Sequence, residues 1–425
     1  MKKDNDLNSK TPDHKAESAK EGKNSSSLKD RKFDKEDLAP KASEGIPSGI
    51  RSLRDLIDHV TGRSLVDLSK EGDAGLAELW PFPFLGLVGQ TDMKLGLLLT
   101  LINPAVGGVL LIGPRGTGKT TAVRSLIDLM PSVSVSNCYY GCMEEDVEIG
   151  GMDAICPNCV EKFSGGESLS SLRSAMLVEL PLNSKLDDVI GSVNERAAVH
   201  DRMRIRRGIL SYADKNLLYI DEVNLLSDNV VDVILDAAAQ GSYSVRRGSV
   251  AATYRSRFTL IGTMNPEEGS LRPQIMDRFG LRLLVRGLKV PDDRLEAYRR
   301  SQAYFNNPRQ VVDLYAEETM IARDEIQAAR NMLADVELTK DIARLGLDLI
   351  ENFGIASLRA EITLFESARA LAAADNRTRI IVDDLRQVAP MALRLRRSKF
   401  IAQYFEIQKE EEEEITKALE NLPKE

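Results

Sequence analysis

One eight-residue stretch limits the architecture more than any other part of this 425-residue chain. Gly113-Pro114-Arg115-Gly116-Thr117-Gly118-Lys119-Thr120 fits the pattern G-x-x-x-x-G-K-[ST] and is followed by Thr121. It comes directly after the apolar run Val109–Ile112 and before a helical pattern from Ala122 to Met130. Glycines there let backbone N–H groups curl around phosphates, and the N-terminus of the next helix adds positive potential. Lys119 is then placed to reach the β- and γ-phosphates of a nucleotide, and Thr120 to hold Mg²⁺. A strand, a phosphate loop and a helix in that order belong to a parallel α/β sheet.

Two further apolar runs fit such a sheet. Leu217–Ile220 ends in Asp221 and Glu222. Two acids at a strand end are by themselves common and structural. Beside a phosphate loop, Asp221 reads as orienting Mg²⁺ through its water shell and Glu222 as polarising the attacking water. Phe258–Gly262 leads to Thr263-Met264-Asn265-Pro266, where Asn265 either aligns water against the γ-phosphate or only forms an Asn-Pro turn. Arg278 fits an arginine finger that reaches a neighbouring subunit's nucleotide. Residues 80–290 are thus expected to form a three-layer α/β domain with a parallel sheet buried on both faces.

The remaining segments divide by composition. Residues 1–48 are charged and almost free of apolar side chains, the pattern of a disordered tail, and 49–79 read as a short helical lead-in with Leu53, Leu56, Ile57 and Val60 at helical spacing. Pro291-Asp292-Asp293 ends the β pattern and opens a linker over 291–312. An all-helical lid over 313–400 follows, with Ile342, Leu345, Leu349 and Ile350 on one face and Ile362, Phe365, Ala368 and Leu371 on another. Residues 401–425, with Glu410–Glu414, form an acidic tail. The net charge, 57 − 65 = −8, argues against a nucleic-acid coat or a basic membrane binder, and three scattered histidines argue against a His-rich metal site. The uncharged run Leu95–Gly113 is broken by Asn103-Pro104 and Gly107-Gly108, so it reads as helix, turn and strand rather than a membrane span. The N-terminus has neither a secretory h-region nor the acid-poor composition of a transit peptide, which points to the cytoplasm.

Four cysteines form two pairs, Cys138-x3-Cys142 and Cys156-x2-Cys159, in a loop over 136–165. Four thiolates at this spacing suit a structural Zn²⁺ outside the ATP site. Redox-active thiols or a disulfide are the competing readings, with no role as a third.

Taken together, the phosphate loop, Asp221-Glu222, Asn265 and Arg278 stand in the order of an AAA+ ATPase. Ile220-Asp-Glu-Val-Asn-Leu-Leu226, Asn265-Pro-Glu-Glu-Gly269 and Leu271-Arg-Pro-Gln-Ile-Met-Asp-Arg-Phe-Gly280 closely resemble the I subunit of magnesium chelatase. Val88-Gly89-Gln-Thr-Asp-Met-Lys94 is similar to that family's adenine-side segment, Ser357-Leu-Arg-Ala-Glu-Ile362 to its sensor-2 helix start, and Val388-Ala-Pro-Met-Ala-Leu-Arg394 to its last helix. The resemblance covers about residues 80–400. It implies a homo-oligomeric ring, commonly a hexamer, with ATP between subunits, Arg278 supplied in trans and Arg359 on the γ-phosphate. It also implies two partners, a D subunit with a von Willebrand-type domain and a porphyrin-binding H subunit, for insertion of Mg²⁺ into protoporphyrin IX in chlorophyll biosynthesis. In a plant or alga the compartment would be the plastid stroma.

Residues 183–210, with Arg196, Arg202, Arg204, Arg206 and Arg207, resemble the family's helix-2 insertion, and 244–258 its pre-sensor hairpin about Arg246-Arg247-Gly248. Their arginines read as surface or intersubunit charge, with phosphates of DNA as the alternative. The chain departs from the family in its N-terminal extension, its cysteines, and Ser184-Lys-Leu-Asp-Asp188, where an Ala-Thr-Glu-Asp stretch is expected. Two other tasks fit the same ATPase: a MoxR-like remodelling or metal-insertion factor with a von Willebrand-type partner, and a DNA-handling machine.

Overall fold

The computed structural model describes residues 80–138, 140–193, 205–247 and 250–397, all within the unit Glu78–Glu425. The tail, the helical lead-in and the acidic end read from the sequence lie outside the described residues. So do 194–204 of the insertion, with Arg196, Arg202 and Arg204.

Five short strands make the central sheet: β1 (Val109–Ile112), β2 (Leu177–Leu180), β3 (Leu217–Ile220), β4 (Thr259–Met264) and β5 (Leu281–Leu284). Their order is β5-β1-β4-β3-β2 and every pairing is parallel. Alternation sends successive side chains to opposite faces. Val109, Leu111, Leu217, Tyr219, Ile261, Leu281 and Leu283 join one buried cluster, while Leu110, Ile112, Leu218, Ile220, Leu260 and Met264 join a second. The first face is covered by helices Thr91–Ile102 and Lys119–Ser125, the second by Asp228–Gln240 and Pro273–Arg278. This is the expected three-layer α/β fold. The uncharged run becomes helix Thr91–Ile102, a 3-10 turn at Pro104–Val106 and β1, and no described helix is long and apolar enough to cross a membrane.

Two details depart from the sequence pattern. The stretch 291–312, read as a linker, carries helices Pro291–Asn306 and Pro308–Leu314. Proline at the first helical position and acids in the first turn start a helix as readily as they end a strand pattern. In the lid, helices Lys340–Asn352, Leu358–Ala374 and Val382–Leu393 bury Ile350, Ala368 and Leu371, but Leu345 and Ile362 are half exposed.

The lid meets the sheet through an ionic cluster on Asp277. Arg282, fully buried in β5, donates to Asp277 Oδ1 at 3.1 Å, and Arg396 donates to the same oxygen at 2.7 Å. Ser357 donates to Oδ2 at 2.9 Å. Burial pushes the Asp277 carboxyl up, but the Ser357 hydrogen bond and the charges of Arg396 and Arg282 outweigh it and hold it below the usual carboxylate range. Asp277→Ala strands two buried guanidinium groups and is expected to cost about 3 kcal/mol, read as an earlier midpoint in urea unfolding; Asp277→Asn keeps an acceptor and should lose less.

Candidate functional site

Gly113 leaves β1 with no room for a side chain, since a Cβ there would stand 2.0 Å from the Val285 carbonyl oxygen. Gly118 then turns the loop into helix Lys119–Ser125 with a left-handed φ of 83°, which glycine adopts without steric cost. Between them Pro114, Arg115, Gly116 and Thr117 cross the top of the sheet. Lys119 donates to the carbonyl oxygens of Gly113 (2.7 Å) and Pro114 (2.8 Å). Burial pulls its ammonium below the ordinary lysine range, against the attraction of Asp221, Glu222 and Glu268.

The ends of β3 and β4 face this loop. A cleft of about 260 Å³ is lined by Arg115, Gly116, Thr117, Gly118, Lys119, Thr120, Thr121, Asp221, Glu222, Thr263 and Asn265. Asp221 Oδ1 accepts from the hydroxyls of Tyr219 (2.8 Å) and Thr263 (2.5 Å), and the Tyr219 hydroxyl lies 3.2 Å from Thr120 Oγ1. Thr263 Oγ1 in turn accepts from the Glu222 N–H at 2.9 Å. Glu222 has a left-handed φ of 52°, a strained setting for a residue with a side chain and one found at functional positions. Its carboxyl is pushed up by burial and then by the neighbouring Glu268, with Arg115 acting the other way. Arg115 lies 3.5 Å from Glu222 and also pairs with Glu268. Asn265 is buried and donates to Glu268 Oε1 at 3.0 Å, and its own Oδ1 caps the turn Pro266–Glu268. The turn-forming reading of Asn265 is thus seen directly, and its side chain also lines the cleft.

A second cavity of 610 Å³ adjoins the first through Gly116, Thr117, Gly118 and Thr121. Its size suits a small organic ligand, about 300–1,000 Å³. Val88, Gln90 and Met93 line one side; Gly89 beside them has φ 62°. Arg294, Ala297, Arg300 and Ser301 form the opposite wall, and Arg300 donates to the Gly86 carbonyl at 3.1 Å.

Two candidate residues stand elsewhere. Arg278 is bound to Asp236 (2.8 Å) and to the Asp232 carbonyl (3.2 Å) on helix Asp228–Gln240. Arg359, half exposed, lies 3.7 Å from Asp277, the residue next to Arg278. Neither lines the phosphate cleft.

The four cysteines converge. Their sulfurs lie within 4.8 Å of one another, the Cys138 and Cys156 pair at 3.6 Å, and all four are free thiols. A tetrahedral zinc with bonds of about 2.3 Å needs sulfurs about 3.8 Å apart. N–H groups of Tyr140 and Cys156 donate to Cys138 Sγ and Cys142 Sγ, each at 3.3 Å. Burial pushes the Cys138 thiol up, yet the bonds from Tyr140 and the other cysteines bring it down to about 7.

The AAA domain family (dynein-related subfamily) matches residues 108–279, and the AAA lid domain family matches 348–418. The magnesium-chelatase subunit ChlI homolog of Methanocaldococcus jannaschii is 41% identical over 75% of this chain and 87% of its own. The magnesium-chelatase 38 kDa subunit of Acidiphilium rubrum is 38% identical over 74% and 90%. The chain belongs to the magnesium-chelatase I-subunit family. Its sequence is also similar to a chain in the cryo-EM-based structure of the BchI and BchD subunits of magnesium chelatase, at 36% identity, 76% coverage of this chain and 99% of that one, with a TM-score of 0.43. Within this I-subunit chain, sequence reasoning missed Tyr219 and Thr263, which carry no motif signal of their own, and Glu268, which lies in the Asn265-Pro-Glu-Glu-Gly269 motif but was given no role. It also missed Arg294 and Arg300, hidden in the stretch taken for a linker.

Proposed function

We propose that this protein is the ATP-hydrolysing motor subunit of a magnesium chelatase. It would work as a ring, commonly a hexamer, with a D subunit and a porphyrin-binding H subunit to insert Mg²⁺ into protoporphyrin IX. The observation that carries this reading is the phosphate cleft with Lys119, Thr120, Asp221, Glu222 and Asn265 in one place, in a chain of this family. In it, ATP lays its phosphates on the loop and its adenosine in the adjoining cavity. Thr120 and Asp221 are the groups that would hold the nucleotide's Mg²⁺, which supplies charge neutralisation at the phosphates. Glu222 polarises the attacking water and Asn265 aligns it.

Arg278 and Arg359 serve the neighbouring subunit's nucleotide. Their absence from the lining of the chain's own cleft supports that assignment. The four-cysteine cluster is a structural zinc site, supported by its four convergent thiols.

Reconstitution tests the whole reading. The protein is mixed with purified chelatase D and H subunits, protoporphyrin IX, Mg²⁺ and ATP, and Mg-protoporphyrin fluorescence is followed. An ATP-dependent signal that is absent with Glu222→Gln supports the chelatase assignment; robust ATP hydrolysis without any signal overturns it. Arg278→Ala is expected to leave ATP affinity intact while hydrolysis by the assembled ring falls by about 10³-fold or more. Glu222 with a raised pKa takes up its proton, and stops polarising water, at a higher pH than an ordinary glutamate. Glu268→Gln removes the repulsion and leaves Arg115 to Glu222, so the acid limb of the kcat profile should move to lower pH.

A further inference from the structure

The loop that carries the cysteines is too small to hold itself together. Strands Val133–Ser136 and Ser170–Arg173 pair antiparallel to close its stem. Beyond them its own buried core is Cys142, Ile155, Cys159 and Leu169. A unit of under about 40 residues with so little core ordinarily needs a metal or cross-link to stay folded.

What this loop touches is specific. Its helix Glu144–Gly150 begins with three acids, and two of them grip the pre-sensor hairpin (Ser242–Arg247 and Val250–Arg255) and its exit. Asp146 pairs with Arg255, the last residue of that hairpin. Glu145 reaches Lys215 at 3.2 Å and Arg257 at 3.5 Å. Lys215 precedes β3 and Arg257 precedes β4, the strands that end in Asp221 and Asn265. On the other side Arg207, from the strand Ile205–Arg207 that returns from the insertion, donates to the Cys138 carbonyl at 3.3 Å. The same guanidinium lies 5.9 Å from the centre of the Tyr254 ring in the hairpin. Metal loop, insertion stem and hairpin root therefore meet at one junction.

We infer that the four-cysteine loop is a zinc-clasped strut, which fixes the root of the pre-sensor hairpin and the stem of the insertion to the ATPase domain. The inference rests on the zinc reading above and adds a task to it. Zinc holds Cys138 and Cys142 against Cys156 and Cys159, and so sets the position of helix Glu144–Gly150 and of the Cys138 carbonyl. Those two features are what Arg255, Lys215, Arg257 and Arg207 bind. With the clasp closed, both hairpins move about a fixed root. With it open, the ion pairs lose their platform while the sheet, whose core is separate, stays folded.

Hydrogen exchange of the full-length protein, purified without added zinc, tests this alongside metal analysis. Wild type should contain about one zinc per chain. Cys156→Ser/Cys159→Ser should lose the metal and exchange roughly tenfold faster over 205–212 and 242–257, with β1 and β3 unchanged. Glu145→Ala/Asp146→Ala should keep the zinc and speed exchange over 250–257 by a few-fold, the scale of losing surface ion pairs. This second variant decides the matter even if the first unfolds. Zinc-free wild-type protein overturns the metal reading. Zinc present, with hairpin exchange unchanged in the charge variant, overturns the strut and leaves the metal site standing.

Discussion

Everything at the phosphate cleft hangs on the parallel pairing of β1, β4 and β3. Ile112 stands opposite Met264, and Gly262 opposite Ile220, so three strands release their chains at one edge. The Gly113 N–H donates to the Met264 carbonyl at 3.1 Å, which locks the start of the phosphate loop to β4. Gly262 allows that pairing to pack, because a Cβ there would meet Val223 at 2.7 Å and the Phe279 ring at 3.1 Å. The register of these short strands thereby sets which side chains face a nucleotide. One step of slip of β3 would carry Tyr219 and Asp221 together to the opposite face, away from Thr120 and Thr263.

The same sheet divides the chain's chemistry into two halves. Phosphate-binding groups gather at the ends of β1, β3 and β4. Arg359 stands at Asp277, where the core meets the lid, and Arg278, the next residue in the chain, pairs with Asp236. Asp277 joins Arg359 to the buried Arg282 and Arg396, so the geometry of that surface is tied to how the lid sits on β5. In the ring proposed above, the surface with Arg278 and Arg359 on one subunit would face the phosphate cleft of the next.

Much of this was legible in the residues. The loop 113–120, the acids ending β3 and the apolar runs led to the α/β class and to most of the cleft, because each depends on local chain geometry. The spacing of the cysteines likewise brought four thiols to one point. Tyr219, Thr263 and Glu268 were not legible. A tyrosine in an apolar strand looks like core, and only the packing of β3 near the phosphate loop places its hydroxyl beside Thr120. The stretch 291–312 was misread because proline followed by acids marks both the end of one element and the start of a helix.

By itself, then, the sequence determined the phosphate loop, the buried strands and the ligand-type side chains, since backbone freedom at glycine and alternation of apolar residues are local properties. The tertiary structure alone decided which partners those side chains find. It set the second wall of the cavity beside the phosphate loop, the separation of Arg278 and Arg359 from the chain's own phosphate cleft, and the contact of the cysteine loop with both hairpins. Such contacts join residues far apart in the chain, and their geometry follows from packing and register rather than from any local pattern.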